Sequence, residues 1–191
     1  MKKNTKTFLI VLGIILFVVL VLFNSFKGMY NRLVMLDEGV NTAWAQVENQ
    51  LQRRLDLIPN LVNTVKGYAE HEKEVLTAVT NARSRVGSAR TIPEKIDANR
   101  QLTSALGRLL VVMENYPDLK ADQNFLALQS QLEGTENRIS VERRRYNEAT
   151  QKYNIAIRQF PNTILANMFG FKRKPLFEAD KAAQQAPEVK F

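Results

Sequence analysis

Cysteine is absent from the 191 residues, which excludes disulfides, thiol catalysis and thiolate metal sites. Glycine (8) and proline (6) are scarce, and this argues against an all-β or low-complexity chain and favours long, uninterrupted helices. Histidine occurs once, so the chain cannot supply the repeated Glu-x-x-His motifs of a di-iron helical bundle. No G-x-S-x-G motif or glycine-rich phosphate loop is present. These absences predict no catalytic, cofactor-binding or metal-binding residues.

Positive charge is in excess, with a formal net charge of +8. Lys2, Lys3 and Lys6 precede the first apolar segment, and the residues after that segment carry 24 basic and 19 acidic side chains. This mild excess is compatible with attraction to anionic lipid headgroups and is too weak to indicate nucleic acid. We therefore expect membrane lipids as a partner, and neither a nucleic acid nor a small-molecule substrate.

One long apolar run, FLIVLGIILFVVLVLF at residues 8–23, extends with its flanks to about 20 residues. A helix of that length spans the ~30 Å hydrocarbon core of a bilayer. A cleaved signal peptide is the alternative, but the following FNSFKGMYN offers no A-x-A-like cleavage site. The lysines before the run place the N-terminus in the cytoplasm by the positive-inside rule. We therefore predict a cytoplasmic tail at residues 1–6, a transmembrane helix at 7–26 and an extracytoplasmic domain.

Helical periodicity begins directly after this segment. Apolar residues recur at spacings of three and four, and the predicted face consists of Leu33, Leu36, Val40, Trp44, Val47, Leu51 and Leu55. We predict one long helix that leaves the membrane and ends at about Leu57. Pro59 then marks either a kink or a tight corner, because proline disfavours helical geometry at the preceding residue. A second helix is predicted from there to about Gly87.

Two further helices follow. Residues 87–93 are predicted to connect to the third helix, with Thr91 as its N-cap, and this helix ends at residues 116–118. The fourth helix carries a heptad seam that only Glu142 interrupts. The seam consists of Phe125, Leu128, Leu132, Thr135, Ile139, Tyr146, Ala149, Tyr153, Ala156 and Phe160. It is expected to pack either inside a bundle or against a second copy of the chain.

The predicted fold is all-α, an N-terminal transmembrane helix followed by an antiparallel, up-and-down four-helix bundle with long helices. The bundle domain is assigned to residues 27–177, and the polar tail at 178–191 is predicted to be disordered. Residues 164–174 pair an apolar stretch with a basic cluster. We expect this segment either to lie at the membrane interface or to close the open end of the bundle with Phe169 and Phe171.

Few residues are candidates for chemistry. His71 lies among glutamates but lacks a second histidine, so we expect a solvated helix face instead of a metal or acid–base site. The basic clusters Arg53–Arg54 and residues 143–145 are attributed to solvated faces paired with nearby acids, with an acidic lipid or partner as the alternative. Five asparagines near seam positions are expected to fix helix register, with solvated positions or an interface as alternatives. These are Asn60, Asn63, Asn137, Asn147 and Asn154.

Long blocks of the chain resemble the LemA family of bacterial membrane proteins. They include AWAQV at 43–47, LQRRLDLIPNLV at 51–62, VKGYA at 65–69, ENYPDLKA at 114–121 and TENRI at 135–139. The resemblance covers nearly the whole chain and implies an N-terminal anchor in the bacterial inner (plasma) membrane, a periplasmic antiparallel helical bundle and no established enzymatic activity. Leu55 departs from the family pattern, which often has histidine there, and this weakens any shared metal site.

The first functional hypothesis is a non-enzymatic scaffold that self-associates at the cell envelope. The heptad seam and the long exit helix favour it, and anchoring would raise the effective concentration of the chain. The alternative is an adaptor for another membrane protein. Here the resemblance implies membrane proteases or TPM-domain proteins, near which family members tend to be encoded. An enzyme is the third hypothesis, with His71 as its best candidate residue.

Overall fold

A computed structural model describes residues 2–178, with side chains from residue 8 onward. Over this range the chain forms six α-helices and no strand, so the all-α prediction is confirmed. The helices are α1 (Lys2–Tyr68), α2 (Lys73–Ser88), α3 (Ile92–Met113), α4 (Pro117–Ala121), α5 (Gln123–Ala156) and α6 (Asn162–Phe169). The up-and-down, antiparallel four-helix arrangement stays a prediction. The predicted disordered tail lies outside the described residues from 179 onward.

The chain divides into two compact units. Unit 1 comprises Met1–Asn41 and Ala149–Lys174, and unit 2 comprises Thr42–Glu148 and Pro175–Phe191. Both α1 and α5 contribute residues to each unit. The predicted domain limits are not tested by this division, and they stay predictions.

The N-terminal part of α1 belongs to unit 1 and contains one candidate membrane span. Within the described part of the chain, only α1 is long and apolar enough to cross a membrane. None of the apolar window is buried, unlike the core helix of a soluble protein. The exposed apolar side chains continue from Phe8 to Phe23.

Pro59 lies inside α1 and does not end it. The prediction of a helix ending at about Leu57 is wrong, because α1 continues to Tyr68. Proline lacks the N–H that would donate to the carbonyl four residues earlier, which is the carbonyl of Leu55. Arg83 Nε, from α2, donates to this carbonyl at 3.0 Å. The arginine therefore replaces the hydrogen bond that the proline removes.

The break after α1 falls at residues 69–72 instead of at Pro59. The Glu72 amide donates to the Ala69 carbonyl at 3.1 Å, which forms a turn between the two helices. The second helix therefore begins at Lys73, later than predicted. The start of the third helix matches its prediction, because Thr91 caps α3 in a reciprocal capping box with Glu94. Its end does not, because α3 stops at Met113 and residues 117–118 begin α4.

The core of unit 2 is built by α1, α2, α3, α4 and the start of α5. Fully buried members are Leu61, Val65, Val79, Leu109 and Leu119. Burying a side chain of this size contributes about 1.5 to 3 kcal/mol. The heptad seam of α5 is satisfied within the chain at several positions, since Phe125, Ile139 and Tyr146 are buried.

Candidate functional site: an arginine-lined cleft

Arg54 is a charged residue on the apolar face of α1. It lies three residues after Leu51 and four before Ile58, so helical periodicity turns it toward the core. Only 5% of its surface is exposed. A buried guanidinium must find hydrogen-bond acceptors and a counter-charge, because its desolvation would otherwise be very costly.

The partners of Arg54 come from α3 and α5. Arg54 Nη1 donates to Asn99 Oδ1 at 3.2 Å and to Thr103 Oγ1 at 3.0 Å. Glu136 Oε2 lies 2.9 Å from the same nitrogen as an ion pair. Burial lowers the pKa of the Arg54 guanidinium, Glu136 acts to raise it, and the positive charge of Arg143 adds to the lowering. Arg54 therefore links three helices of unit 2 through one buried charge.

Glu136 has an incompletely satisfied carboxylate. Although its Oε2 lies near Arg54, the contact lacks hydrogen-bond geometry, and this buried oxygen has no hydrogen-bond partner among the described residues. Such an acceptor is costly to leave unsatisfied, at about 1 to 3 kcal/mol. Glu136 also lines a cleft, although this particular oxygen is itself buried.

The cleft has a volume of about 860 Å³ and lies entirely in unit 2. Its walls come from α2, α3 and α5, and the chain after α6 contributes Phe177 and Glu178. The charged and polar lining residues are Asn81, Arg85, Asn99, Arg100, Gln101, Thr103, Ser104, Arg108, Glu136, Arg143 and Glu178. Arginine dominates this lining, with four guanidinium groups against two carboxylates.

These four arginines lack carboxylate partners. None of them forms an ion pair with an acid over residues 8–178. Arg85 Nη1 donates to Gln101 Oε1 at 2.6 Å, and Arg108 Nη2 donates to Ser104 Oγ at 3.4 Å. Neutral partners of this kind leave the positive charge uncompensated. The cleft therefore presents an electropositive surface.

Arg143 is positioned by an aromatic cluster. Its guanidinium carbon lies 4.6 Å from the centroid of the Phe177 ring, within cation–π range. Phe177 in turn stacks on Trp44 at 5.9 Å and meets Tyr146 edge-on at 5.7 Å. Burial lowers the pKa of Arg143, Glu136 acts to raise it, and Arg100 acts to lower it.

The predicted asparagines divide into two groups. Asn60, Asn63 and Asn137 are exposed. In unit 2, Asn147 Nδ2 donates to the Phe177 carbonyl, and the Phe177 amide donates to Asn147 Oδ1, both at 2.9 Å. In unit 1, Asn154 makes the same two bonds with the main chain of Lys174 at 2.9 Å. These two asparagines hold an extended segment instead of setting helix register.

A tyrosine precedes each of these asparagines and adds one further bond. In unit 2, the Tyr146 hydroxyl donates to the Pro175 carbonyl at 2.8 Å. In unit 1, the Tyr153 hydroxyl donates to the Lys172 carbonyl at 3.0 Å. The Lys174 ammonium lies 2.7 Å from both Asp37 Oδ1 and Asn41 Oδ1 in the same unit.

The remaining predicted candidates are not brought together. His71 is exposed in the turn between α1 and α2, and no cluster that could hold a metal is found among the described residues. Arg144 and Arg145 are exposed and lie near Glu148 (4.0 Å) and Glu142 (2.8 Å), which matches the solvated-face prediction for these two. Each predicted arginine cluster therefore contains at least one exposed arginine and one arginine that is buried or half-buried.

Sequence reasoning missed the burial of Arg54, although a signal existed. An arginine that shares an apolar helical face with Leu51, Leu55 and Ile58 is out of place on a solvated surface. Asn99 gave a similar signal, because it lies three residues before Leu102 and is buried at 3% exposure. Arg85, Arg100 and Arg108 offered no comparable signal, since each is exposed on its own helix.

Comparison with known proteins places this architecture in one family. The LemA family matches residues 43–191, which is most of the chain, and the chain therefore belongs to the LemA family. A curated relative named magnetosome protein MamQ 2, from Paramagnetospirillum magneticum, is 28% identical over an alignment 186 positions long, and the alignment covers 84% of this chain and 68% of that protein. Protein LemA from Metamycoplasma hominis is 25% identical over 177 residues, which cover 91% of this chain and 77% of that protein.

Proposed function

We propose that this member of the LemA family is a membrane-anchored binding protein without catalytic activity, which holds an acidic segment of another envelope protein in its cleft. The adaptor hypothesis thereby takes precedence over the self-associating scaffold. The observation that carries the proposal is the cluster of four cleft arginines without carboxylate partners among the described residues. Guanidinium groups match carboxylates in geometry and charge, so an acidic chain is the complementary partner.

The dimensions of the cleft favour a peptide segment over a small anion. Its lining on α3 runs from Ile96 to Arg108, which corresponds to about 18 Å of helix. A single phosphate could contact only part of that length.

Membrane anchoring by residues 7–26 is the second part of the proposal. It is supported by the unburied apolar span of α1 and by the lysines before it. The same lysines support a cytoplasmic N-terminus, with unit 2 on the periplasmic side of the inner membrane. An anchored binding protein meets its partner in two dimensions, which raises the effective concentration of both.

The test measures binding of a fluorescein-labelled peptide of alternating glutamate and alanine to the full chain in lipid nanodiscs. We expect saturable binding that weakens with salt, because exposed charges are screened. The double variant Arg100→Gln, Arg108→Gln should weaken binding by up to about thirtyfold, since exposed ion pairs contribute up to ~1 kcal/mol each. The matched control is Arg144→Gln, Arg145→Gln, which removes two exposed arginines of α5 outside the cleft.

Three outcomes would contradict the proposal. An equal loss of peptide affinity in both double variants would show that the peptide is attracted by net charge alone. Competition by millimolar inorganic phosphate with full displacement would identify a small-anion site. Equal affinity for a peptide of alternating lysine and alanine would show that the cleft does not select an acidic segment.

Self-association is the second candidate function. Leu126 is 49% exposed and lines a shallow pocket together with Leu110 and Met113. An exposed apolar residue beside apolar neighbours favours contact with another protein. Light scattering of the full chain in mild detergent distinguishes the candidates, because a uniform oligomer would support the scaffold and a monomer would favour the adaptor.

A further inference from the structure

We propose that α6 and its flanking residues 160–173 form a second membrane contact, which lies in the headgroup region of an anionic bilayer. This segment is called the membrane foot. The inference rests on the proposed anchoring of α1, and it adds a lipid-binding surface that anchoring alone does not require. It concerns unit 1 only.

The membrane foot lies close to the point where α1 would leave the bilayer. The Phe169 ring lies 4.8 Å from the Tyr30 ring, and the Phe171 ring lies 6.0 Å from it. Tyr30 follows Phe26, the last residue of the proposed transmembrane segment, by four residues, which is about 6 Å along a helix. Headgroup regions extend roughly 5 to 8 Å beyond each side of the hydrocarbon core. The contact with Tyr30 therefore sets the end of α6 at the depth of the headgroups.

The membrane foot exposes several large apolar side chains. Ile164 and Met168 are one helical turn apart and are 52% and 64% exposed, whereas Leu165 and Ala166 are buried. Phe160, which precedes α6, is 82% exposed. An α-helix that buries one face and exposes large apolar side chains on another requires a partner for the second face.

Charge identifies this partner as an anionic membrane. After the apolar run, the residues of unit 1 include seven basic and only two acidic side chains. Unit 2 is balanced, with 17 of each sign, so the whole basic excess beyond the apolar run belongs to unit 1. Of the two acids, Asp37 is already paired with Lys174 at 2.7 Å. Lys27, Arg32, Lys172 and Arg173 are exposed and available to lipid phosphates.

The return of the chain after α6 holds the membrane foot in place. Gly170 ends the helix in the left-handed region at φ 76°, which glycine adopts without strain. The main chain at Lys172 and Lys174 then accepts hydrogen bonds from Tyr153 and Asn154 of α5. The foot is thus fixed at its C-terminal end, which lowers the entropic cost of placing it on a membrane.

Because the chain contains no cysteine, a label on one introduced cysteine can report how deeply that residue lies in the membrane. A single cysteine is introduced into the full chain at Met168, at Phe17 in the apolar run, or at Gln151, which is exposed on α5. Each variant carries an environment-sensitive NBD label in liposomes of phosphatidylcholine with 30% phosphatidylglycerol. We expect Phe17→Cys and Met168→Cys to emit at shorter wavelength and to resist quenching by iodide, and Gln151→Cys to be quenched freely.

The label positions separate failure of the inference from failure of the anchoring. A quenched label at Phe17 would overturn the anchoring and the foot together. A shielded label at Phe17 with Met168 quenched as freely as Gln151 would overturn the foot alone. Shielding at Met168 that disappears when protein is diluted with excess lipid would identify a second copy of the chain as the occupant, and would also overturn the inference.

The anionic character of the contact is tested by charge reversal. With Met168→Cys labelled, Lys172→Glu, Arg173→Glu should abolish the emission shift between neutral and 30% anionic liposomes. The matched control Arg53→Glu, Lys66→Glu reverses two exposed charges of unit 2 and should keep that shift. Equal emission in neutral and anionic lipid for the parent chain would contradict an anionic partner.

Discussion

Arg54 shows how one buried charge can organise the lining of a cleft without being exposed in it. Its guanidinium fixes Asn99, Thr103 and Glu136, which belong to two helices and line the cleft. The neighbouring Arg53 is exposed. The two residues are identical in chemistry, and helical periodicity alone gives them different environments.

Replacing Arg54 by methionine should destabilise the protein. The substitution keeps the apolar stem of the side chain, removes the guanidinium and leaves the buried Glu136 oxygen without its counter-charge. We expect a loss of about 1 to 3 kcal/mol, below the ~3 to 5 kcal/mol for fully buried pairs, because the Glu136 side chain is 41% exposed. Thermal unfolding of the detergent-solubilised full chain, followed by circular dichroism, measures the change.

Arg53→Met is the matched control and should change the unfolding free energy by less than about 0.5 kcal/mol. The double variant Arg54→Met, Glu136→Gln should recover part of the loss, because it removes the uncompensated charge. Equal melting temperatures for the Arg53 and Arg54 variants would show that the buried pair contributes nothing to stability.

Tyr153 provides a pH-dependent signal in unit 1. Burial, followed by the charge and hydrogen bonding of Asp37, raises its pKa to about 12. Unfolded tyrosine has a pKa of about 10, so the folded state retains this proton longer than the unfolded state. The resulting stabilisation is complete below about pH 10 and is lost as the pH rises to about 12.

Spectrophotometric titration near 295 nm should therefore show a tyrosine that ionises late. Tyr153→Phe should remove that component and reduce the loss of stability between pH 10 and 12. Tyr30→Phe is the control within unit 1 and should leave the late component intact. A late component that persists in Tyr153→Phe would assign the raised pKa to a different tyrosine.

At the scale of the element, α1 continues past Pro59 with the help of a hydrogen bond from α2. The Leu55 carbonyl would lack a partner after Pro59, and Arg83 donates to it at 3.0 Å. Arg83 lies 24 residues after Pro59 in the sequence, so local reasoning predicted an interruption where the structure has none. Tertiary contacts of this kind are the usual reason that helix boundaries at proline are predicted wrongly.

Replacing Arg83 by methionine should cost about 1 to 3 kcal/mol, because a largely buried carbonyl is left without a donor. The loss should be smaller in the background Pro59→Ala, where residue 59 regains an N–H for the same carbonyl. The measurement is again thermal unfolding of the full chain, as a double-variant cycle. Strictly additive effects of the two substitutions would show that Arg83 does not act through the proline.

The heptad seam of α5 illustrates what a regular pattern can and cannot predict. The pattern correctly located a helix that begins near Phe125 and has buried seam positions. It left open whether the seam packs within one chain or between two, because both alternatives bury the same residues. The burial of Ile139 and Tyr146 within the chain removes these positions as an argument for self-association, whereas the predicted seam residue Phe160 lies beyond the end of α5 and is exposed.

At the scale of the whole molecule, the sequence predicted the helical class, the apolar span and the cap of α3. Each depends on interactions within a few residues, which periodicity and capping patterns describe directly. The cleft could not be predicted, because Arg85, Arg100 and Arg143 come from three helices and meet only through the fold. The uneven distribution of charge between the units could not be predicted from the sequence either, because unit 1 combines two distant parts of the chain.

The main-chain recognition by Asn147 and Asn154 has a consequence for sequence divergence. Each asparagine uses an amide and a carbonyl, so these bonds persist for any amino acid with a backbone N–H. Proline is therefore forbidden at 174 and 177, whereas Pro175 is accepted because only its carbonyl is used. Lys172 is likewise recognised through its carbonyl alone. A search for more distant relatives should therefore follow the repeated Tyr-Asn pair of α5 and tolerate wide variation in the segment that it holds.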